Sequence, residues 1–402
     1  MHVVTAIPIQ HYGEGDFWGR DAGLMATGFL GAGCRATLVA IGNPDDSLTG
    51  VPGLTPELRL ASMEAMKTPA FWRQLAPDLV FLFAWTLPRH EGIRRAIRAS
   101  GIPFIERMDT DGMRSPLLGF RRFFYLSWAQ SMSRLKASRR VSWKAIPALA
   151  SACLWTGRSL IGSPWLGAYS ARIASRIPLV VVESPSAESK IRKWLALHGL
   201  GSGNVRFLPH PVAVESLPGV ETQSRGKRVI AIGRWKSFQK NPEATLAVAG
   251  KFLSLRKDYE FHFIGENPHS IQPFERMHFH GLISRQEIGR IAAESRILLA
   301  LSRYESFHLG AAEALCCGCS VVMAPGIPTA GWFTGPASGT VATTDSQSSY
   351  LEALLKEVDQ WESGQRDPLA ISKHWRKRLN PVDVARETLL DFVSNPLHAA
   401  NL

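Results

Sequence analysis

Hydrophobic and polar positions fall into two successive sets of strand and helix patterns. HVVTAIP near the N-terminus and PDLVFLFAW further on are continuous apolar runs, the pattern of parallel strands covered on both faces. Between them lie a Gly-rich loop (QHYGEGDFWGRD), the helical stretch DAGLMATGFLGAG and a strand, CRATLVAIG. GIRRAIRASG predicts a helix ending at Gly101, and IPFIERMD and PLVVVES predict strands. SAESKIRKWLALHG has Ser at its start and Gly at its end, as a capped helix should, and VRFLPHPV closes the set. Residues 215–227, VESLPGVETQSRG, read as a linker. The pattern then restarts: strand KRVIAIGR, helix PEATLAVAGKFLSLRKD, strand YEFHFIG, a helix QEIGRIAAES opened by the capping pair Ser284 and Glu287, strand ILLALS, helix HLGAAEALCCG and strand SVVMAPG. PVDVARETLLDFV predicts a final amphipathic helix. Two β/α sets imply an α/β protein of two Rossmann-like, doubly wound domains facing one another across a cleft. The expected boundaries are 1–214, with an insert at about 113–178, then 215–385, then a tail over 386–402.

Candidate chemistry concentrates in the second set. In Ser302-Arg-Tyr-Glu305-Ser-Phe-His-Leu-Gly-Ala-Ala-Glu313, a strand delivers Glu305 to a loop and a helix carries Glu313. At about 1.5 Å rise per residue, a helix spanning both would separate them by roughly 10–12 Å, room for one carboxylate on a sugar and the other on a ribose. The amides of Phe307, His308, Leu309 and Gly310 would open that helix, and a helix N-terminus binds phosphate through free N–H groups and its dipole. Arg234 follows the strand KRVIAIG directly and Lys240 comes six residues later, where open α/β sheets bind ligands. The plainer alternatives are a capping Glu with an exposed helical Glu, and a solvated pair of cations.

Gly233-Arg234…Lys240, Gly281, and Ser302…Glu305…Glu313-Ala-Leu…Gly318 together resemble the family 4 retaining glycosyltransferases of the GT-B fold (glycosyl transferases group 1). The resemblance covers most of residues 228–330. It implies that Arg234 and Lys240 contact a donor diphosphate, Glu305 the hydroxyls of the transferred sugar and Glu313 the ribose, with the base near Gly265 and Gly281. It further implies a hexosyl transfer that keeps the anomeric configuration, with no bound metal or other cofactor. Gly13 and Gly15 resemble the family's first, phosphate-approaching loop, although a plain turn explains Gly-x-Gly equally well. Asp109 stands where members often carry a His near the reacting sugar, and its alternative is an Asx turn. His210 sits where many have Asn-Gly, and reads as a hinge residue. A nucleotide-sugar 2-epimerase shares this architecture, and a non-catalytic sugar-nucleotide-binding protein is the rival of another class. A nicotinamide enzyme fits less well, because CRATLVAIGN lacks an acidic residue at the end of the second strand.

Charge adds a second theme. The net charge is +12, and from Gly112 to Val182 there is no Asp or Glu, against eleven Lys and Arg. Phe120, Phe124 and Trp128 recur there at helical spacing, among Arg121, Arg122, Arg134, Lys136, Arg139 and Arg140. That composition suits a helix lying in a membrane interface or holding an anionic, lipid-linked acceptor. Ordinary packing with a solvated basic face is the alternative; nucleic acid is the poorest fit. Salt-sensitive binding to anionic vesicles separates these readings. No apolar run approaches the roughly 20 residues of a membrane span, and the N-terminus lacks a basic leader, so a cytoplasmic protein, peripheral at most, is expected. Five cysteines in 402 residues suit a reducing compartment, with Cys316, Cys317 and Cys319 read as buried thiols.

Overall fold

The computed structural model describes residues 1–10, 18–19, 21–43, 55–84, 88–108, 128–129, 172–220, 225–266, 275–335 and 337–394. They form two compact units, one drawn from Met1–Thr110, Trp165–Ala213 and Lys377–Leu402, the other containing Val214–Arg376.

The first unit is built on a seven-stranded parallel sheet. Its strands are β1 (His2–Gln10), β2 (Arg35–Ile41), β3 (Glu57–Ala61), β4 (Leu79–Leu82), β5 (Phe104–Met108), β6 (Leu179–Val182) and β7 (Val205–Phe207), in the order β3-β2-β1-β4-β5-β6-β7. The apolar runs of β4 and β6 are buried along their whole length, as strands covered on both faces must be. Helices α1 (Asp21–Gly31), α2 (Met63–Met66), α3 (Pro69–Leu75), α4 (Glu91–Ala99) and α5 (Pro185–Leu197) connect them. The Ser184 hydroxyl accepts from Ala187 N at 3.0 Å and Pro185 occupies the first turn, which fixes where α5 begins. Sequence reasoning had not resolved β3: ELRLA has charged side chains at alternate positions, and only its pairing with β2 makes it a strand.

The second unit has a six-stranded parallel sheet: β8 (Arg228–Ile232), β9 (Glu260–Ile264), β10 (Met277–Phe279), β11 (Ile297–Ala300), β12 (Ser320–Met323) and β13 (Gly339–Val341), ordered β10-β9-β8-β11-β12-β13. Its helices are α6 (Pro242–Leu255), α7 (Arg285–Glu294), α8 (Leu309–Cys316), α9 (Ala330–Phe333), α10 (Gln347–Glu362) and α11 (Pro368–Leu379). Ser284 caps α7 by accepting from Glu287 N at 3.2 Å. Cys316, Cys317 and Cys319 are fully buried; burial pushes the Cys317 thiol up to about 12 and that of Cys319 to about 11. Within the expected linker, Arg225 is buried, its guanidinium donating to the carbonyls of Ala292, Ser295 and Cys317.

The last helix, α12 (Pro381–Val393), packs on α1 of the first unit. A Cβ at Gly28 would lie 2.2 Å from Pro381 O, so the approach of the two helices needs glycine there. By packing, this segment therefore goes with the first unit, although the boundaries drawn from sequence divide it between 215–385 and the tail. Phe392, inside that tail, is buried in the first unit's core.

Candidate functional site

In the second sheet the strand order reverses between β8 and β11. The β8 connection runs towards β9 on one side, and β11 continues towards β12 on the other. A doubly wound sheet leaves a crevice outside the carboxyl ends of two such strands. Arg234 and Lys240 follow β8, and Glu305 follows β11.

The two loops are stitched together. Gln239 Nε2 donates to Tyr304 O at 3.1 Å, Arg303 N to Gln239 O at 2.8 Å, and Asn241 Nδ2 to Leu301 O at 3.1 Å. Arg303 lies 4.1 Å over the Phe238 ring and donates to Glu243 Oε2 at 3.0 Å. Lys240 is thereby delivered to Glu305, Nζ to Oε1 at 2.6 Å, with side chains only 17% and 10% exposed. Gly233 lets the lysine stem pass, since a Cβ there would meet Lys240 Cγ at 3.1 Å. Burial acts to raise the Glu305 carboxyl. The electrostatic influence of the adjoining His308 ring, the charge of Lys240 and hydrogen bonds from Lys240 and Ser302 outweigh it and hold the carboxyl below its ordinary range. Sequence reasoning had placed Lys240 on a diphosphate and Glu305 on a sugar; the structure brings the two into direct contact.

Helix α8 begins at Leu309, one residue into the expected stretch HLGAAEALCCG, and Glu305 stays on the loop before it. His308 adopts a left-handed conformation, φ 75°, and caps the helix: its Nδ1 accepts from Ala311 N at 3.1 Å. Burial pushes His308 down to about 4, so the ring is neutral at pH 7 with its proton on Nε2. Glu313 is then one turn into the helix, about 6 Å along its axis by the rise per residue, rather than two turns. Phe307 is buried against Trp332 and Phe333 and packs the loop instead of lining an opening. Among the described residues, the N–H groups of Leu309 and Gly310 donate to no protein acceptor. They are the part of the expected phosphate cradle that remains available.

Glu313 Oε1 lies 3.6 Å from Arg285 Nε, an ion pair too long for a hydrogen bond. Arg234 is exposed and makes no side-chain hydrogen bond or ion pair among the described residues. Its neighbour Trp235 anchors the loop through Nε1 to Ile264 O at 3.1 Å. Gly265 has φ 120° and its N donates to Gly281 O at 2.9 Å; a Cβ on it would fall 1.9 Å from Gly233 O. Its first requirement is close contact between the loops after β8 and β9. Gly281 has φ 68°, a turn conformation that favours glycine. Gly13, Gly15, Asp109 and most of the basic segment lie outside the described residues. Trp128, expected on the aromatic face of that segment, is 52% exposed. His210 is buried and donates from Nδ1 to Pro211 O at 3.0 Å. Arg303, Gln239 and Asn241 escaped sequence reasoning. The available signal was the polar cluster Gln239-Lys240-Asn241 immediately before the helix-starting Pro242.

Gly310 separates a packing role from a ligand role. The atoms nearest a Cβ there would be His308 Cε1 and Ile232 Cβ, both at 3.8 Å, and His308 Nδ1 at 3.9 Å, all ordinary contacts. The fold has room for alanine, and Gly→Ala at a compatible site gains about 0.4–1 kcal/mol. Gly310→Ala should therefore keep or raise thermal stability, yet weaken binding of a nucleoside diphosphate at least tenfold, as a methyl group intrudes on the phosphate. Calorimetric titration beside a melting curve checks both; unchanged affinity would mean that no ligand approaches this backbone.

Among the described residues, no helix is long and apolar enough to cross a membrane. One group there, Glu260, His262 and His278, could hold a metal ion, its ligand atoms lying within 4.8 Å of one another on β9 and β10.

Residues 226–357 match the family model described as Glycosyl transferases group 1. No curated protein is matched by sequence. Among solved structures, the chain is similar to sucrose-phosphate synthase from Thermosynechococcus elongatus, at 12% identity over 99% of each chain with a TM-score of 0.62. It is similar to Anabaena HepE in complex with UDP-glucose, at 11% identity over 98% of this chain and 100% of that one, TM-score 0.60. It is also similar to an E. coli structure described as trehalose-6-phosphate bound with UDP-2-fluoro glucose, at 10% identity over 98% and 99%, TM-score 0.65. The chain has the GT-B fold of two Rossmann-like units.

Proposed function

We propose that the protein is a retaining glycosyltransferase that moves a hexose from a nucleoside diphosphate sugar to a glycan or lipid-linked acceptor. One observation carries the reading: the Lys240–Glu305 pair lies where the second sheet's strand order reverses, in the loops that precede the two available amides of α8. The UDP, UDP-glucose and UDP-2-fluoro glucose complexes among structures of this fold support a nucleoside diphosphate sugar as the ligand.

In this reading the diphosphate takes Lys240 Nζ from Glu305 and meets the N–H groups of Leu309 and Gly310, with exposed Arg234 closing on it. Glu305, released from its ion pair, accepts hydrogen bonds from hydroxyls of the sugar. Glu313 exchanges its long contact with Arg285 for the ribose. Negative charge grows on the diphosphate as the glycosidic bond breaks, and cations and amides fixed beforehand stabilise that charge without reorganising. Asp109, Gly13 and Gly15 are further donor-contacting residues in this reading, and the basic segment 113–178 receives an anionic, lipid-linked or membrane-borne acceptor.

Incubation with a panel of nucleoside diphosphate hexoses and a mixed glycan and lipid acceptor pool, resolved by mass, tests the reading. It predicts release of the free nucleoside diphosphate together with an acceptor heavier by one hexose. A rearranged sugar nucleotide without acceptor would instead establish an epimerase, and an unaltered panel that still binds would establish a sensor.

A further inference from the structure

Strands β9 and β10 form the outer edge of the second sheet, with His278 opposite His262 in the parallel register. Alternate strand positions share a face, so Glu260, His262 and His278 project from one side and His280, just past β10, continues the row. The His262 ring lies 4.7 Å from that of His278 and stacks on that of His280 at 5.1 Å and 13°. His262 Nε2 is 3.3 Å from Glu260 Oε2, and His262 Nδ1 is 2.9 Å from His280 Nε2. His262 is buried, and His278 is exposed.

These distances have the form of a metal-ligand set. A tetrahedral ion with nitrogen and oxygen ligands at about 2.0–2.1 Å puts neighbouring ligand atoms roughly 3.3 Å apart. His262 Nε2 and Glu260 Oε2 already hold that spacing. A ligating histidine ordinarily donates its other ring N–H to a fixed acceptor, which settles its tautomer. His280 Nε2 is that acceptor when His262 carries its proton on Nδ1, leaving the Nε2 lone pair facing the carboxylate. Exposed His278 can rotate to close the remaining gap within the 4.8 Å group.

We propose that Glu260, His262 and His278 form a binding site for a divalent transition-metal ion, with His280 as a positioning residue. Two imidazoles and one carboxylate suit Zn²⁺, Ni²⁺ or Cu²⁺ rather than Mg²⁺ or Ca²⁺, which take oxygen ligands. The fourth position is left to water. Arg228 Nε, 3.3 Å from Glu260 Oε2, is the competing cation, and its Nη1 is also held by Glu294 at 2.8 Å. The site is independent of the donor-sugar reading and stands if that reading fails.

The test is calorimetric titration of Zn²⁺ into the full chain freed of metal by chelation, with Co²⁺ absorption as a geometric probe. The wild type should bind one equivalent more than the His262→Ala/His278→Ala double variant, show tetrahedral Co²⁺ bands, and melt higher with Zn²⁺ than without. His262→Ala should lose at least 100-fold in affinity, and His280→Ala about 10–100-fold, as expected for an outer-shell partner. Every variant keeps all the cysteines, so thiol binding cancels in the comparison. Exposed His278→Ala alone serves should the His262 variants not fold. Equal Zn²⁺ stoichiometry and affinity in the wild type and His278→Ala would overturn the site and leave a simple hydrogen bond from His262 Nε2–H to Glu260.

Discussion

Lys240→Ala should lower the rate of hexosyl transfer by about 10²–10³, the usual consequence of removing one preorganised donor from a developing negative charge. The same substitution should change stability in a pH-dependent way. In the wild type, Glu305 sits in a largely buried place and is held ionised below the ordinary carboxylate range, burial opposing and the neighbouring charges prevailing. A group with a depressed folded-state value contributes stability above its unfolded value and loses it as pH falls through the folded one. Without Lys240, one of the charges and one of the hydrogen bonds that oppose burial are lost, and the carboxyl moves up from where the wild type holds it. The variant should then be less stable by about 1–3 kcal/mol at pH 7, the cost of a buried group left without its partner. The gap should narrow as pH falls and Glu305 takes up a proton. Adding Glu305→Gln should restore stability without restoring transfer. Denaturant titrations at several pH values measure this. A gap independent of pH would show that the ion pair contributes nothing beyond packing of the lysine stem.

The largest loss of stability is expected from Arg94→Met in the first unit. The Arg94 guanidinium grips Glu106 with two parallel bonds, Nε to Oε2 and Nη2 to Oε1, both at 2.7 Å, and neither side chain is exposed. Glu106 lies in the middle of β5, the strand that runs up to Asp109 in the chain. Methionine keeps much of the stem's volume and removes the charge, taking from the Glu106 carboxylate the guanidinium that grips it with two bonds. Breaking a buried pair from one side costs about 3–5 kcal/mol, whereas replacing both partners by apolar groups is often neutral. Chemical denaturation should show that loss for Arg94→Met and recovery of most of it for Arg94→Met/Glu106→Leu. Equal losses in the two would mean that packing, not uncompensated charge, sets the effect.

Much of this architecture can be read from the chain because burial on both faces leaves a direct trace. The runs in β4, β6 and β11 are apolar without interruption, and Ser284 marks a helix start that the structure bears out, whereas α5 is capped by Ser184, two residues before the Ser186 that opens the predicted stretch. The placement of Arg234, Lys240 and Glu305 after strands was legible for the same reason. The direct contact of Lys240 with Glu305 was not, because it depends on β8 and β11 being neighbours, a fact of topology with no local signature. The stitches from Gln239, Asn241 and Arg303 join residues about sixty positions apart, and no spacing rule reaches that far. The start of α8 was legible to within one residue, but the capping role of His308 was not, because it needs a positive φ that only the surrounding loop can impose. The histidines of β9 and β10 became a group only once the strand register was known.

The account rests on one ligand being shared by Lys240, Glu305 and the amides of Leu309 and Gly310. Titration of the chain with UDP, GDP and ADP and their hexose conjugates, followed by thermal unfolding, tests this most directly. At about 100 times its dissociation constant, the correct nucleotide should add roughly 2.7 kcal/mol of stability to the wild type. It should add markedly less to Lys240→Ala and Gly310→Ala. Stabilisation of equal size in all three proteins, or none by any nucleotide, would contradict it.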